Sequence, residues 1–353
     1  MPVLTRLVPS PVFVEVRAGA LDALGGILAD QRLSSAGRIA VAISGGSGAV
    51  LRERLEPALP GADWYQVDDG TLDSAVRLTD EIRRGHYDAL VGLGGGKIID
   101  VAKYAAARVG LPVVAVATNL AHDGICSPVS TLDNDAGRGS YGVPGPIGII
   151  VDLDVVAKAP KRFVAAGIGD AVSNISACAD WELSHAVTGE PVDGLAVAMA
   201  RAAGENLLRH PGTLEDPDLL TTLAEALVLS GIAMNIAGST RPSSGACHEI
   251  SHALDVLYPK RSAQHGEQVG LGAAFACFLR GERDLSGLVV ERLRFHGLPV
   301  TADQIGFTEA EFTEAVHYAP NTRPGRFTIL EHLDLSATDI RDAYADYVQA
   351  VNS

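Results

Sequence analysis

The chain has 353 residues, 47% hydrophobic and 20% charged, and a formal net charge of -15 at pH 7. That length and apolar content predict a globular protein of two domains. The acidic balance argues against a nucleic-acid or anionic-membrane partner, but leaves room for a small anionic ligand held by local positive charge. The four cysteines, Cys126, Cys178, Cys247 and Cys277, form no CxxC pair and read as buried thiols in a reducing cytoplasm. The opening MPVLTRLVPSP lacks the basic segment and apolar core of a signal peptide, and no apolar run is expected to reach membrane-spanning length.

Pro11 to Arg17 alternates in apolar character and predicts a strand, and Ala20 to Gln31 has helical spacing. Arg38 to Ile43 is a short buried strand ending in Ser44-Gly45-Gly46-Ser47-Gly48, followed by a helix, AVLRERLEPAL: the start of an α/β unit. A second unit pairs a strand at Trp64–Val67 with a helix at Leu72–Arg84. In the third, the strand Tyr87–Leu93 runs into Gly94-Gly95-Gly96, and a helix begins with Lys97, Asp100 and Lys103. Glycine lets backbone N–H groups approach a pyrophosphate, and a helix N-terminus adds partial positive charge. The spacing is neither GxGxxG, since Lys97 holds the third position, nor a Walker A loop, since Ile98 replaces its Ser or Thr. A tight turn needing small residues explains the glycines equally well. The fourth unit is the strand Leu111–Ala117 and the polar loop Thr118–Gly124. Four such units favour a parallel sheet with ligands at the strand C-terminal ends. The turn-rich residues 127–146 predict a hairpin or loop excursion, and Ile147–Val151 is a last buried strand, closed by Asp152-Leu153-Asp154.

After Pro160 the pattern becomes helical, which divides the chain into an α/β domain, 1–159, and an all-α domain, 160–353. Helices are expected over 162–187, 192–209, 217–237, 244–257 and 266–280, with a last one capped near Ser336. The first contains Asp170 and Asn174 on one face; Asp170 also suits a helix N-cap after Gly167 and Gly169. In the stretch from Ser244 to Gly272, His248, His252 and Asp255 share a helix face, and His265 opens the next helix. Two helices joined by a short polar loop can aim His248 and His265 at one point. A carboxylate beside two imidazoles makes a divalent-metal site with an open position. The string His248-Glu249-Ile250-Ser251-His252 also matches HExxH, in which both histidines would bind zinc and Glu249 would be a general base; a helix with two satisfied histidines is the plain alternative. Cys247, beside His248, is not expected to touch a metal.

In order, GGGKxxDVAK, TxxAHDGxxSP, AAGxGD, SGxxHExSHALD and HGEQVG resemble the iron-containing alcohol dehydrogenase and dehydroquinate synthase superfamily. Within it, His122-Asp123-Gly124, Asp180-Trp181, His265 to Gly270 and Arg323 to Leu330 are similar to the sn-glycerol-1-phosphate dehydrogenases. The resemblance covers about Arg38 to Leu330. It implies a nicotinamide dinucleotide, NAD(P)H, on the α/β domain, a metal on the helical domain, and a site in the cleft between them. Carried over by position, the metal ligands are Asp170, His248 and His265. A fourth histidine of the broader superfamily corresponds to Asn174, so three ligands remain, which suits zinc better than iron or nickel. His252 then faces substrate and, with Asp123, would orient hydroxyls and relay a proton. The protease alternative explains neither Gly94 to Gly96 nor His265 in its HGEQVG context.

For the cofactor, the resemblance implies that Gly94, Gly95 and Gly96 face the pyrophosphate and Thr118 and Leu120 the nicotinamide side. Lys97, Asp100 and Ser127 fall within the same motifs, and Lys97 stands where close relatives often carry arginine. Ser44 stands where related NAD enzymes often place an acid, so a 2′-phosphate is not repelled. The expected reaction is reduction of a small phosphorylated ketone such as dihydroxyacetone phosphate, with Lys260 and Arg261 as candidate phosphate contacts. The alternatives are a reductase of another phosphorylated or polyhydroxylated carbonyl, or a dehydroquinate synthase-like cyclase. That last group usually carries glutamate where Asp170 stands. A redox-inert homologue would not need the intact triad. The expected setting is a cytoplasmic homo-oligomer with a small-molecule substrate and no nucleic-acid partner.

Overall fold

Six short apolar runs in the first part of the chain pair into a fully parallel sheet. The computed structural model describes residues 11–30, 37–45, 47–135, 137–261 and 263–352. The expectations for residues 1–10, Gln31 and Gly46 lie outside them. In chain order the first elements are β1 (Phe13–Arg17), α1 (Leu24–Leu28), β2 (Ile39–Ser44), α2 (Ser47–Leu55), β3 (Asp63–Val67), α3 (Leu72–Ile82), β4 (Ala89–Gly94), α4 (Gly96–Val109) and β5 (Val113–Ala117). They continue with the antiparallel pair β6 (Val129–Asn134) and β7 (Gly137–Gly142), then β8 (Gly148–Asp152) and α5 (Leu153–Val156). The sheet order is β1-β8-β5-β4-β2-β3.

Helices cover both faces of such a sheet, so its strands are apolar on both sides. Val41, Ile43, Val91, Leu93, Val114 and Val116 pack with Leu24, Leu28 and Leu55 on one face. The alternate residues Ala40, Ala42 and Leu90 pack with Leu78, Ile82, Val101 and Ala102 on the other. Gly92 permits the close seat of α4, since a Cβ there would come within 2.8 Å of the Ala102 Cβ. Strand order reverses direction between β2 and β4, which is where open α/β sheets bind ligands. The helix expected over Ala20–Gln31 is shorter than predicted: a 3-10 turn, Ala20–Ala23, leads into the five-residue α1. Two consecutive glycines weaken it, and Gly25 admits the Ala58 carbonyl oxygen to 2.3 Å from the position of a Cβ.

The remaining elements are helices: α6 (Lys161–Thr188), α7 (Gly194–Arg209), α8 (Pro217–Ala237), α9 (Ala246–Leu257), α10 (His265–Leu279), α11 (Arg283–Phe295), α12 (Glu309–Tyr318), α13 (Ile329–Leu333) and α14 (Ala337–Asn352). The last four include three that the sequence pattern did not define, α11, α12 and α13. Contrary to the sequence expectation, α8 is long and apolar enough to cross a membrane by length and composition, with 21 residues; 61% of its most apolar stretch is buried in the fold, as in the core helix of a globular protein. The chain divides into two compact units. One takes the described residues through Thr118, then Gly124–Val156 and Gly231–Ser239. The other takes Asn119–Asp123, Ala157–Ser230 and the residues from Thr240 onward.

Candidate functional site

Two glycines decide how closely the helices carrying Asp170 and His265 approach. A Cβ on Gly169 of α6 would lie 2.2 Å from the Gly266 carbonyl oxygen, and one on Gly266 of α10 would lie 1.8 Å from the Ala166 oxygen. Neither contact is possible for a larger residue, so the two helices cross backbone against backbone. That crossing brings Asp170, next to Gly169, and His265, next to Gly266, to one place. Asp170 lies deep within α6, not at its start, so the N-cap role is excluded. Helix α9 supplies His248.

The donor atoms form a small triangle. His248 Nε2 and His265 Nε2 are 3.3 Å apart. Asp170 Oδ1 lies 3.9 Å from the first and 3.6 Å from the second. A point equidistant from all three corners is about 2.1 Å from each, the length of a bond from zinc to imidazole or carboxylate. Among the described residues these three are the group of His, Cys, Asp or Glu side chains able to hold a metal ion. Burial and the nearby Asp123 carboxylate push Asp170 well above the usual carboxylate range. Burial and the neighbouring His265 push His248 well below the usual imidazole range. The first is the shift of a carboxylate deprived of a counter-charge, which a bound cation supplies, and the second keeps the imidazole neutral with a lone pair to offer. The donor set therefore fits a divalent ion.

The groups behind the triangle orient it. The second oxygen of Asp170 accepts the Asp123 amide at 2.8 Å. His265 Nδ1 lies 3.3 Å from Ser251 Oγ, which itself donates to Gln268 Oε1 at 2.7 Å. Ser251 has one proton and gives it to Gln268, so it must accept from His265. Nδ1 then carries the ring proton and Nε2 keeps its lone pair for a metal. Gln268 Nε2 continues the chain to Asp255 Oδ1 at 3.3 Å. Sequence reasoning missed Ser251 and Gln268, although both sit inside the motifs; it had no means to pair residues on different helices. Cys247 Sγ lies 3.4 Å from His248 Nδ1, the ring nitrogen away from the triangle. Burial pushes the Cys247 thiol up to about 12, and the residue is not part of the cluster that could hold an ion.

His252 is not part of the triangle. Its Nε2 meets Arg323 Nη2 at 3.2 Å, with its ring 6.4 Å from that of His248. Glu249 is fully buried, and burial pushes its carboxyl up to about 9. Thr328 Oγ1 touches Glu331 Oε2 at 2.6 Å and Glu249 Oε2 at 3.1 Å. One hydroxyl proton serves the shorter contact, so Glu249 supplies the proton for the other. With His252 outside the triangle and the Glu249 carboxyl turned to Thr328, the geometry does not match an HExxH protease site. Asn174 is likewise committed elsewhere, donating to Ser230 Oγ at 2.6 Å. Lys260 is exposed, and Arg261 pairs with Glu311 at 2.7 Å while stacking over Tyr258 and Phe307.

The start of α9 is held from behind. Asp180, fully buried, accepts the Ala246 amide at 2.7 Å, the Ile329 amide at 3.0 Å and Arg280 Nη1 at 2.8 Å. It serves as a remote cap for α9 and α13 together. Gly245 makes this possible, since a Cβ there would lie 2.4 Å from Asp180 Oδ2.

In the sheet-bearing unit, the proposed nucleotide residues end adjacent strands. Ser44 ends β2 and Gly94 ends β4, with Ile43 opposite Leu93. The Thr118 amide, just past β5, donates to the Gly94 carbonyl at 3.0 Å. Gly95 is the N-cap of α4 and Gly96 its first residue, so unpaired helix amides open at the reversal in strand order. Lys97 is exposed and lies across Gly70. Asp100 is turned inward: its carboxylate meets Lys103 Nζ at 2.8 Å and accepts the Thr131 amide at 3.2 Å, tying β6 to α4. Ser127 is buried, its Oγ 3.4 Å from the Val129 carbonyl. Leu120, grouped with the helical unit, has a fully buried side chain.

Comparison with known proteins adds to these geometries. The family pattern described as iron-containing alcohol dehydrogenase matches residues 15–160. A glycerol-1-phosphate dehydrogenase [NAD(P)+] of Hyperthermus butylicus is 35% identical over 325 residues, 91% of this chain and 92% of that protein. The same-named protein of Nitrosopumilus maritimus is 35% identical over 292 residues, 81% of each. Among solved structures, a probable glycerol dehydrogenase from Sinorhizobium meliloti superposes with a TM-score of 0.78 at 24% identity, covering 99% of each chain. At that identity the likeness speaks for the fold.

Proposed function

The chain belongs to the glycerol-1-phosphate dehydrogenase family, within the iron-containing alcohol dehydrogenases, and from that premise we propose that it interconverts dihydroxyacetone phosphate and a glycerol phosphate. It is an NAD(P)-dependent oxidoreductase acting on a CH–OH group, and its family uses a divalent metal. In the reducing direction bound NAD(P)H would supply the hydride for the carbonyl carbon, and the chain's own residues would deliver a proton to the carbonyl oxygen. The convergence of Asp170, His248 and His265 on one point carries this reading.

We infer zinc as the ion, because one carboxylate and two imidazoles with a free position match a catalytic zinc set. When bound, the ion supplies Lewis-acid polarisation of the substrate carbonyl. The residues of the chain do the rest. Asp170 contributes the negative charge that holds the cation. His265 presents Nε2 because Ser251 holds its Nδ1 proton, and His248 stays neutral because it is buried. His252 and Asp123 orient the substrate hydroxyls and pass the proton to the developing alkoxide. Gly94, Gly95 and Gly96 receive the pyrophosphate of the cofactor, with Ser44 beside the adenosine ribose and Thr118 toward the nicotinamide. A cytoplasmic homo-oligomer completes the proposal.

The test is the absorbance of reduced nicotinamide with zinc-loaded protein and dihydroxyacetone phosphate. Stoichiometric loss of NAD(P)H with formation of glycerol phosphate is expected. Product formed from a sugar phosphate without net cofactor loss would mean a cyclase and overturn the assignment.

A further inference from the structure

We propose that Arg323, with His252 beside it, binds the phosphate of a small phosphorylated ketone whose carbonyl lies at the Asp170–His248–His265 triangle. The proposal rests on the phosphorylated-substrate reading above and names the residue that makes that choice.

The arginines around helix α9 are not alike. Arg241 is held by Glu190, with Nε 2.9 Å from Oε1, and by the Phe327 carbonyl at 2.9 Å. Arg280 is held by Asp180 at 2.8 Å. Arg326 is spent on the Ser244 carbonyl and on Thr240 Oγ1. Arg323 differs from these three in its partner, the imidazole of His252 beside the triangle. Among the described residues no carboxylate lies within ion-pair distance of it, and its side-chain hydrogen bond is to His252 Nε2 at 3.2 Å. An imidazole nitrogen that accepts from a guanidinium is neutral, so it does not balance the charge.

Arg323 is partly buried, so its charge is poorly served by water. A half-buried, uncompensated guanidinium is a ready partner for a dianionic phosphate, which it can engage through two parallel N–H groups.

Its position gives the choice of substrate. His252 is one helical turn from the metal-ligand candidate His248, with ring centroids 6.4 Å apart. Arg323, with Nη2 3.2 Å from His252 Nε2, is thus one side chain removed from His248. That adjacency suits a small substrate that carries its phosphate close to its carbonyl. Arg261, the other candidate phosphate contact from the sequence, is engaged by Glu311.

The experiment compares zinc-loaded wild type with Arg323→Gln, using dihydroxyacetone phosphate and its unphosphorylated counterpart dihydroxyacetone. The variant is expected to lose about 100-fold in kcat/KM for the phosphorylated ketone and less than about threefold for dihydroxyacetone. Zinc content, thermal melting and the KM for reduced nicotinamide should be unchanged. Inorganic phosphate should compete with the phosphorylated ketone on the wild type and not on the variant. Arg323→Ala, assayed with guanidinium added to the solution, should recover turnover of the phosphorylated ketone alone. Equal loss for both ketones, or wild-type kcat/KM for the phosphorylated one, would overturn the proposal. Should the wild type reduce neither ketone, calorimetry with inorganic phosphate separates the two ideas. Binding abolished by Arg323→Gln supports the anion site while the reaction assignment falls, and binding unaffected by it overturns the site.

Discussion

His265 Nδ1 stands 3.3 Å from Ser251 Oγ, a hydroxyl whose own proton is given to Gln268. That contact decides which imidazole nitrogen faces Asp170 and His248. Replacing Ser251 by Ala frees the ring to adopt the other tautomer, and the affinity for zinc should fall about 10- to 100-fold. Competition with a coloured chelator measures this directly. Ser251→Thr should restore most of it, and an Ala variant with wild-type affinity would show that the contact does not orient His265.

Glu249 gives a pH signature with a defined sign. Its folded pKa, about 9, lies above the ordinary 4.5, so its contribution to stability is complete below pH 4.5 and is lost progressively as pH rises toward 9. Glu249→Gln keeps the shape and removes the titration. The variant should melt with the wild type near pH 4.5 and above it at pH 8, a difference on the order of 3 kcal/mol. It should also retain turnover, since Glu249 transfers no proton. Parallel melting curves across pH would contradict the protonated state argued above.

Asp180 acts at a distance. It receives Ala246, the first residue of the helix that carries His248, and neutralises Arg280. Asp180→Asn leaves a buried guanidinium short of its counter-charge, and should cost about 3 kcal/mol in chemical denaturation. Weaker zinc binding should accompany that loss, because the start of α9 is freed. Unaltered stability would mean that Glu282, 3.2 Å from Arg280, already suffices as its partner.

Ser44 ends the strand next to the glycine turn and is uncharged. Ser44→Asp should shift the ratio of kcat/KM for NADH over NADPH upward by about tenfold or more, through repulsion of the 2′-phosphate and a hydrogen bond to the ribose. An unchanged ratio would place the ribose elsewhere.

Much of this was legible in the sequence, because the signals were local. The strands through β5 announced themselves as apolar runs ending in glycine or polar turns. His248 and His265 stood out because imidazoles at the starts of two adjacent helices are conspicuous. What remained hidden depends on tertiary pairing. Lys103 gives no sign in the sequence that it is wholly buried, satisfied by Asp100 and by the carbonyls of Gly124, Ser127 and Val129. Arg261 beside Lys260 looked like a phosphate contact, but Glu311 on a distant helix claims it. Nothing local in the sequence explains glycine at 169 and 266, and only their close backbone contacts show why α6 and α10 need them. Helices α11 to α13 escaped notice because their apolar faces are narrow and broken by charge.

The central claim is that Asp170, His248 and His265 hold one divalent ion, and cobalt(II) tests it most directly. Titrating metal-stripped protein with cobalt(II) should develop visible absorption bands that saturate at one ion per chain, with the intensity of a low-coordinate nitrogen and oxygen site. Asp170→Asn, His248→Ala and His265→Ala should each abolish the saturable spectrum, while His252→Ala retains it. A saturable wild-type spectrum in any of those three variants, or its loss in His252→Ala alone, would contradict the assignment.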